Sequence, residues 1–168
     1  MKGALKIGRL SGIGVYIHWT FSFIMLYIAY QVTSQGGDLW AIIRGEIFLL
    51  LLFLCVVLHE MGHALAARKY GVSTLHIVLY PIGGIASLER IPEKPFEEFI
   101  VAIAGPMVNV GIAFGLGLYI YLYAGVPFIE EDSTPFITML DTFDKFVFAL
   151  MATNVGLVLF NAIPAFPM

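Results

Sequence analysis

The sequence predicts a helical membrane protein: a polytopic bundle of about four transmembrane helices with a small membrane-associated β-hairpin or sheet. Apolar residues make up 60% of the 168 residues and charged residues only 12%, whereas soluble domains are about 45–50% apolar and about 25% charged. Several apolar runs are also long enough to cross the roughly 30 Å hydrocarbon core of a bilayer. At this length we expect one transmembrane core over residues 1–168.

Four apolar stretches are predicted to span the membrane, over residues 13–32, 47–67, 99–123 and 146–163. Residues 5–10 alternate loosely in polarity, and we expect them to pair as a short strand with residues 15–19 before the first span begins. In the third span Gly105-Pro106 predicts an interruption or a kink, because proline removes a helical hydrogen bond. Gly111 and Gly115 have the small-xxx-small spacing that predicts close contact with another helix.

A β-hairpin is predicted between the second and third spans. Residues 75–80 are rich in β-branched and aromatic side chains, a turn follows at Gly83 and Gly84, and residues 85–88 can return as a second strand. Lipid cannot satisfy the hydrogen bonds of a strand edge, so this edge must face protein or water. Two interpretations stay open: the edge accepts an extended peptide as an additional strand, or the hairpin only packs against the rest of the molecule.

The second span ends in a polar motif, His59-Glu60-Met61-Gly62-His63. Ionisable groups inside a membrane cost several kcal/mol (about 2.5–3.5 on the milder scales), so their presence here indicates a function. Positions i and i+4 share one face of a helix, so His59 and His63 can bind one metal ion while Glu60 reaches a water on it. The alternative is a pair of buried histidines hydrogen-bonded to carbonyl groups, which the types, order and setting of the three residues disfavour. The motif predicts one catalytic Zn²⁺ per chain.

Charge and cysteine content exclude other classes and predict an orientation. A net charge of −3 without a basic cluster argues against a nucleic-acid partner, and the lone Cys55 excludes an internal disulfide and a thiolate zinc site.

Most basic residues flank one side of the predicted spans, which places the N-terminus and the metal motif toward the cytoplasm of a multi-pass protein of the cell membrane. These residues are Lys2, Lys6, Arg9, Arg68, Lys69, Arg90 and Lys94.

Three motifs together resemble the site-2 protease family of intramembrane zinc metalloproteases, over essentially the whole chain. They are His59-Glu60-x-x-His63 in a span, Gly105-Pro106-x-x-Asn109 in the next, and Asn161-x-x-Pro164-x-x-Pro167 closing the fourth. The turn Tyr80-Pro81-Ile82-Gly83-Gly84 is similar to that of prokaryotic members without a PDZ insertion. The resemblance implies a zinc metalloendopeptidase that cleaves a peptide bond in or near a transmembrane segment of a membrane-protein substrate within the lipid bilayer.

The same resemblance implies roles for individual residues. His59 and His63 would be zinc ligands, and Glu60 would be the general base that activates water. Asn109 and Asn161 would lie near the substrate backbone, and we expect Gly83 and Gly84 of the hairpin turn to contact the substrate as well. Prokaryotic members often carry a regulatory CBS domain or further helices on the C-terminal side.

The sequence departs from the family at its third zinc ligand. That ligand is an aspartate directly after the motif that ends here at Pro167-Met168, one residue beyond the chain. We therefore expect a truncated core that binds zinc weakly, unless His18, His76 or Glu46 replaces the aspartate. Two alternatives remain: a catalytically inactive truncated core, or a membrane protein that binds or transports metal. Transport usually needs more ligands along a path, and the first, third and fourth predicted spans contain no Asp or Glu.

Overall fold

The computed structural model describes residues 3–90, 92, 94–124 and 140–162. The strands are β1 (Ala4–Leu10), β2 (Ile13–His18), β3 (Thr74–Tyr80) and β4 (Gly83–Leu88), and the helices are α1 (Phe21–Ser34), α2 (Leu39–Lys69), α3 (Pro95–Tyr119) and α4 (Phe143–Ala162). A π-helical turn, Ile120–Ala124, continues α3. The chain divides into two compact units, residues 1–23 with 53–109 and residues 24–52 with 110–168, so α2 and α3 contribute to both.

Three helices are long and apolar enough to cross a membrane in the part of the chain that the structure describes: α2, α3 with its π-helical turn, and α4. Helix α1 has 14 residues, which corresponds to about 21 Å and falls short of the hydrocarbon core. The predicted first span over residues 13–32 is therefore wrong in its first part. Residues 13–18 are strand β2 because their β-branched side chains pair with strands on both sides.

Helix α2 begins at Leu39, earlier than the predicted start at residue 47. The Asp38 carboxylate accepts a hydrogen bond from the Ala41 amide at 2.8 Å, which satisfies an unpaired donor of the first turn. Helix α3 continues through Pro106 without a break in its assignment. The mainly helical membrane fold with a small sheet is thus confirmed, and the described residues contain three full-length spans where four were predicted.

The sheet has four strands in the order β1-β2-β3-β4. Both predicted antiparallel pairs form, β1 with β2 and β3 with β4. The turn between β1 and β2 has positive φ at Ser11 and Gly12 (50° and 86°), as a two-residue hairpin turn of type I′ requires. Strands β2 and β3 join the two hairpins by parallel pairing, which the sequence did not predict. Strand β4 therefore forms one edge of the sheet.

The core of the first unit holds the end of α2 against the sheet and α3. Val15 of β2 pairs with Ile77 of β3, and both side chains are buried. A second buried cluster joins the last turns of α2 to the start of α3: Ala66, Ala67, Val72 and Val101. Burial of this apolar surface fixes the polar motif of α2 between two rigid neighbours.

The second unit contains the first half of α2, the second half of α3 and α4. Phe48 and Phe146 pack edge to face with ring centroids 5.5 Å apart. Arg44 forms an exposed ion pair with Asp141 at 3.3 Å, and the Tyr119 hydroxyl donates a hydrogen bond to Asp144 at 3.2 Å. These contacts connect α2, α3 and α4 near one end of the apolar stretches.

Candidate metal centre

The two histidines of the polar motif face each other on α2. Their Nε2 atoms lie 3.1 Å apart, and their ring centroids are 4.8 Å apart with the rings nearly perpendicular. His59 is buried and His63 is half-buried. The structure therefore brings one nitrogen from each ring to a single point, as the i, i+4 spacing predicted.

The opposite nitrogen of each ring is hydrogen-bonded to an oxygen on α3. His59 Nδ1 lies 2.8 Å from Asn109 Oδ1, and His63 Nδ1 lies 2.7 Å from the carbonyl oxygen of Val101. A carbonyl oxygen only accepts hydrogen bonds, so each neutral ring donates from Nδ1 and carries a lone pair on Nε2. In the neutral rings the two Nε2 lone pairs then face each other.

This donor set fits a zinc ion. Zinc prefers imidazole nitrogens at about 2.0–2.1 Å in tetrahedral geometry, which places two such nitrogens roughly 3.3 Å apart. The observed separation of 3.1 Å is close to that value, and metal-binding histidines characteristically donate their other N–H to an oxygen, as both do here. An uncompensated pair of facing lone pairs would repel, whereas a cation between them removes the repulsion.

Helix α3 approaches the motif closely because it has a glycine where His63 lies. A Cβ added at Gly105 would overlap the His63 ring, and one added at Gly62 would lie 2.6 Å from the carbonyl oxygen of Ala104. Sequence reasoning gave Gly105 no such role. The signal for this role was the four-residue spacing of Gly105 and Asn109. It puts both on one face of α3, just as the same spacing puts His59 and His63 on one face of α2.

Glu60 lies against strand β4. A Cβ added at Gly84 would lie 3.0 Å from Glu60 Cγ and 3.0 Å from Val56 Cγ1. The backbone amide of Ala86 interacts with the Glu60 carboxylate. The acid of the motif thus lies beside the edge strand of the sheet, which sequence reasoning did not predict.

The other predicted site residues lie in different surroundings. Gly83 begins β4 with φ of 144°, a value that favours glycine. Asn161 is exposed, and its amide donates to the carbonyl oxygen of Leu157 at 2.8 Å. Asn109 is fully buried, and its Oδ1 atom lies 2.8 Å from His59 Nδ1.

Among the described residues, none of the three proposed replacements for the third ligand, His18, His76 and Glu46, forms a metal-binding group with the two histidines. His18 Nδ1 lies 2.7 Å from the Thr20 hydroxyl, and His76 Nε2 lies 3.2 Å from the Ser87 hydroxyl. Within the described residues, no three side chains of His, Cys, Asp or Glu form a group that could hold a metal ion. The predicted motif around Pro164 and Pro167 lies outside the described residues.

Fold and site together define a class: a membrane protein with a candidate metal centre on a long apolar helix, closed on two sides by a neighbouring helix and a sheet edge. Residues 47–168 match the family model described as peptidase family M50. The chain therefore belongs to peptidase family M50.

Known proteins of similar sequence carry metalloprotease names. A zinc metalloprotease of Methanocaldococcus jannaschii is 32% identical over the whole of this chain and 43% of its own length. A putative zinc metalloprotease of Synechocystis is 31% identical, again over the whole chain and 42% of the relative. The solved site-2 protease from Methanocaldococcus jannaschii shares the fold with a TM-score of 0.69 and 32% identity, covering 98% of this chain and 67% of that one. This chain spans less than half the length of the first two relatives.

Proposed function

We propose that this chain forms the catalytic transmembrane core of an intramembrane zinc metalloprotease, which cleaves a peptide bond in or near a transmembrane segment of a membrane protein. One observation carries the proposal. The Nε2 atoms of His59 and His63 face each other 3.1 Å apart on an apolar helix, and Glu60 lies between these two residues in the sequence. Membership of peptidase family M50 and the names of its relatives support the same activity.

The residues of the motif have different roles in the proposed hydrolysis: metal binding by the histidines and proton transfer by Glu60. His59 and His63 would hold the metal through Nε2, and the resemblance implies an aspartate as the third ligand. Bound zinc supplies a Lewis acid and lowers the pKa of its water to about 7. Glu60 accepts the proton of the attacking water as general base and delivers it to the leaving amide nitrogen as general acid.

Strand β4 is proposed to hold the substrate beside Glu60. A helical substrate cannot present its scissile bond, since its carbonyl groups are occupied by helical hydrogen bonds, so the segment must unwind. An unwound segment can satisfy its backbone by adding to a free sheet edge. The edge position of β4 and the contact of Gly84 with Glu60 support this role for Gly83 and Gly84. Asn161 stays a predicted substrate contact.

The orientation is also a proposal. The excess of basic residues near the N-terminus and at the end of α2 supports a cytoplasmic location for this end of the molecule. Arg68 and Lys69 occupy the last turn of α2, a few residues beyond His63. The candidate metal centre would then lie near the cytoplasmic surface of the cell membrane.

The experiment compares three substitutions in α2 of the full-length gene product: Glu60→Gln, His59→Ala and the matched control Glu46→Gln. Glu60→Gln is expected to keep bound zinc and to lose cleavage of a transmembrane reporter by about 10²–10⁴-fold, the usual contribution of a general base. His59→Ala should lose both zinc and cleavage. Glu46→Gln, the same chemical change in the same helix, should keep both.

Zinc content after mild chelation and the cleavage rate in the same detergent provide the two measurements. Cleavage by Glu60→Gln at close to the unaltered rate would remove Glu60 from the mechanism. Absence of zinc from the unaltered protein would instead contradict the metal centre itself.

A further inference from the structure

Asn109 is one of two asparagines with no exposed surface, the other being Asn154. Burying an amide in an apolar span costs free energy unless the amide is hydrogen-bonded. Asn154 Nδ2 donates to the carbonyl oxygen of Leu150 in its own helix at 2.8 Å, whereas Asn109 Oδ1 accepts from His59 in another helix at 2.8 Å.

The bond to Asn109 decides which nitrogen of His59 carries the proton. A neutral imidazole exists as two tautomers, and the hydrogen bond made by one nitrogen fixes the state of the other. With Asn109 Oδ1 as acceptor, the proton lies on Nδ1 and the lone pair lies on Nε2, the atom that faces His63. Without the acceptor, the ring is free to change tautomer or to rotate.

A backbone carbonyl group of α3 fixes the tautomer of His63 in the same way. The carbonyl oxygen of Val101 accepts from His63 Nδ1 at 2.7 Å, and no side-chain substitution removes that oxygen. Val101, Gly105 and Asn109 lie four residues apart and share one face of α3. On this face, Val101 supplies a backbone acceptor for His63, Gly105 leaves space for the His63 ring, and Asn109 supplies a side-chain acceptor for His59. Together they orient both rings.

We propose that Asn109 is a positioning residue that fixes the tautomer and ring orientation of His59, rather than a contact to the substrate backbone. The inference rests on the proposed zinc centre, and it assigns to the side chain of Asn109 the role that a backbone carbonyl plays for His63. Hydrogen-bond partners of metal-binding histidines typically contribute 10–100-fold to metal affinity.

The test uses the full-length gene product in detergent with three variants. Asn109→Leu removes the acceptor while keeping the number of side-chain heavy atoms, Asn109→Asp keeps an oxygen acceptor, and Asn154→Leu removes the other fully buried asparagine as the matched control. Zinc affinity is measured by chelator competition. The ¹⁵N shifts of the imidazole nitrogens of the metal-free protein report the tautomer, with His59→Ala used to assign the His59 signals.

Asn109→Leu is expected to lose zinc affinity by 10–100-fold and to lose the single Nδ1–H tautomer of His59. Asn109→Asp and Asn154→Leu should retain that tautomer and bind zinc within a few-fold of the unaltered protein. Should Asn109→Leu fail to fold by circular dichroism and gel filtration, Asn109→Ala replaces it, since it removes the acceptor without adding apolar bulk.

Unchanged tautomer and affinity in the folded Leu or Ala variant would overturn the proposal. So would a variant in which the KM for a transmembrane reporter rises while zinc affinity stays constant, because that pattern indicates a substrate contact. If the unaltered protein binds zinc but cleaves nothing, the proposed protease function fails while the affinity series still tests the role of Asn109.

Discussion

Helix α3 carries glycines in both of its halves, and the two halves use them differently. A side chain at Gly105 would overlap the His63 ring, whereas a Cβ at Gly111 or Gly115 would have nothing within 4 Å among the described residues. The sequence predicted the close helix contact at Gly111 and Gly115 instead, since these two glycines have the small-xxx-small spacing. The comparison shows that spacing makes a close approach possible, but a neighbour that needs the space decides where it occurs.

Among glycine substitutions in the two halves of α3, Gly105→Ala is expected to have the largest effect on zinc affinity. Its methyl group would occupy the space of the His63 ring, so the ring must move away from His59 and the two Nε2 atoms no longer converge. We expect a loss of zinc affinity of at least about 100-fold, comparable with the upper range for disturbing ligand orientation. Chelator competition on Gly105→Ala and Gly111→Ala, measured side by side, checks it.

Equal zinc affinity in Gly105→Ala and the unaltered protein would mean that His63 does not need the space beside α3. Gly111→Ala serves as the control because the same methyl group is added to the same helix. A comparable loss in that variant would show that any additional methyl group on α3 disturbs the site.

Gly62→Ala tests the same contact from the side of α2, with a smaller expected effect. The added Cβ would lie 2.6 Å from the Ala104 carbonyl oxygen and 2.9 Å from Val108 Cγ2, so the two helices must separate slightly. Overpacking of this kind typically costs about 1–3 kcal/mol. We expect a lower midpoint of thermal unfolding in detergent, with a weaker effect on zinc affinity than Gly105→Ala has.

Gly117→Ala is the control for Gly62→Ala. Its Cβ would meet only the flexible Met151 sulfur at 3.4 Å, which can shift at little cost. If Gly62→Ala were as stable as Gly117→Ala, backbone contact between α2 and α3 at Ala104 would not limit their approach.

The helical elements and the two histidines were predictable because local periodicity determines them. Length and composition identified α2, α3 and α4, and the four-residue spacing of His59 and His63 placed both rings on one face. The first span was misjudged, since a β-branched apolar run such as residues 13–18 has the composition of a span as well as that of a buried strand. Only its pairing with β1 and β3 distinguishes the two.

The partners of the site were not predictable because they depend on contacts between distant segments. The parallel pairing of Val15 with Ile77 brings together strands separated by two helices. The contact of Asn109 with His59 depends on the register between α2 and α3, which sequence spacing within each helix does not determine. The resemblance to a known family indicated that Asn109 matters, and its contact with His59 is the observation from which the positioning role is proposed.

The smallest effect is expected from Gly111→Ala and Gly115→Ala. Both positions are exposed on α3, and alanine restricts the unfolded backbone more than glycine does, so each change should be neutral or stabilise the helix by up to about 1 kcal/mol. Zinc affinity and cleavage should stay within a few-fold of the unaltered protein, and the thermal midpoint should stay equal or rise. A clear destabilisation by either variant, with Gly117→Ala as reference, would show that this face of α3 does have a close neighbour, and the contrast between the two halves of the helix would no longer hold.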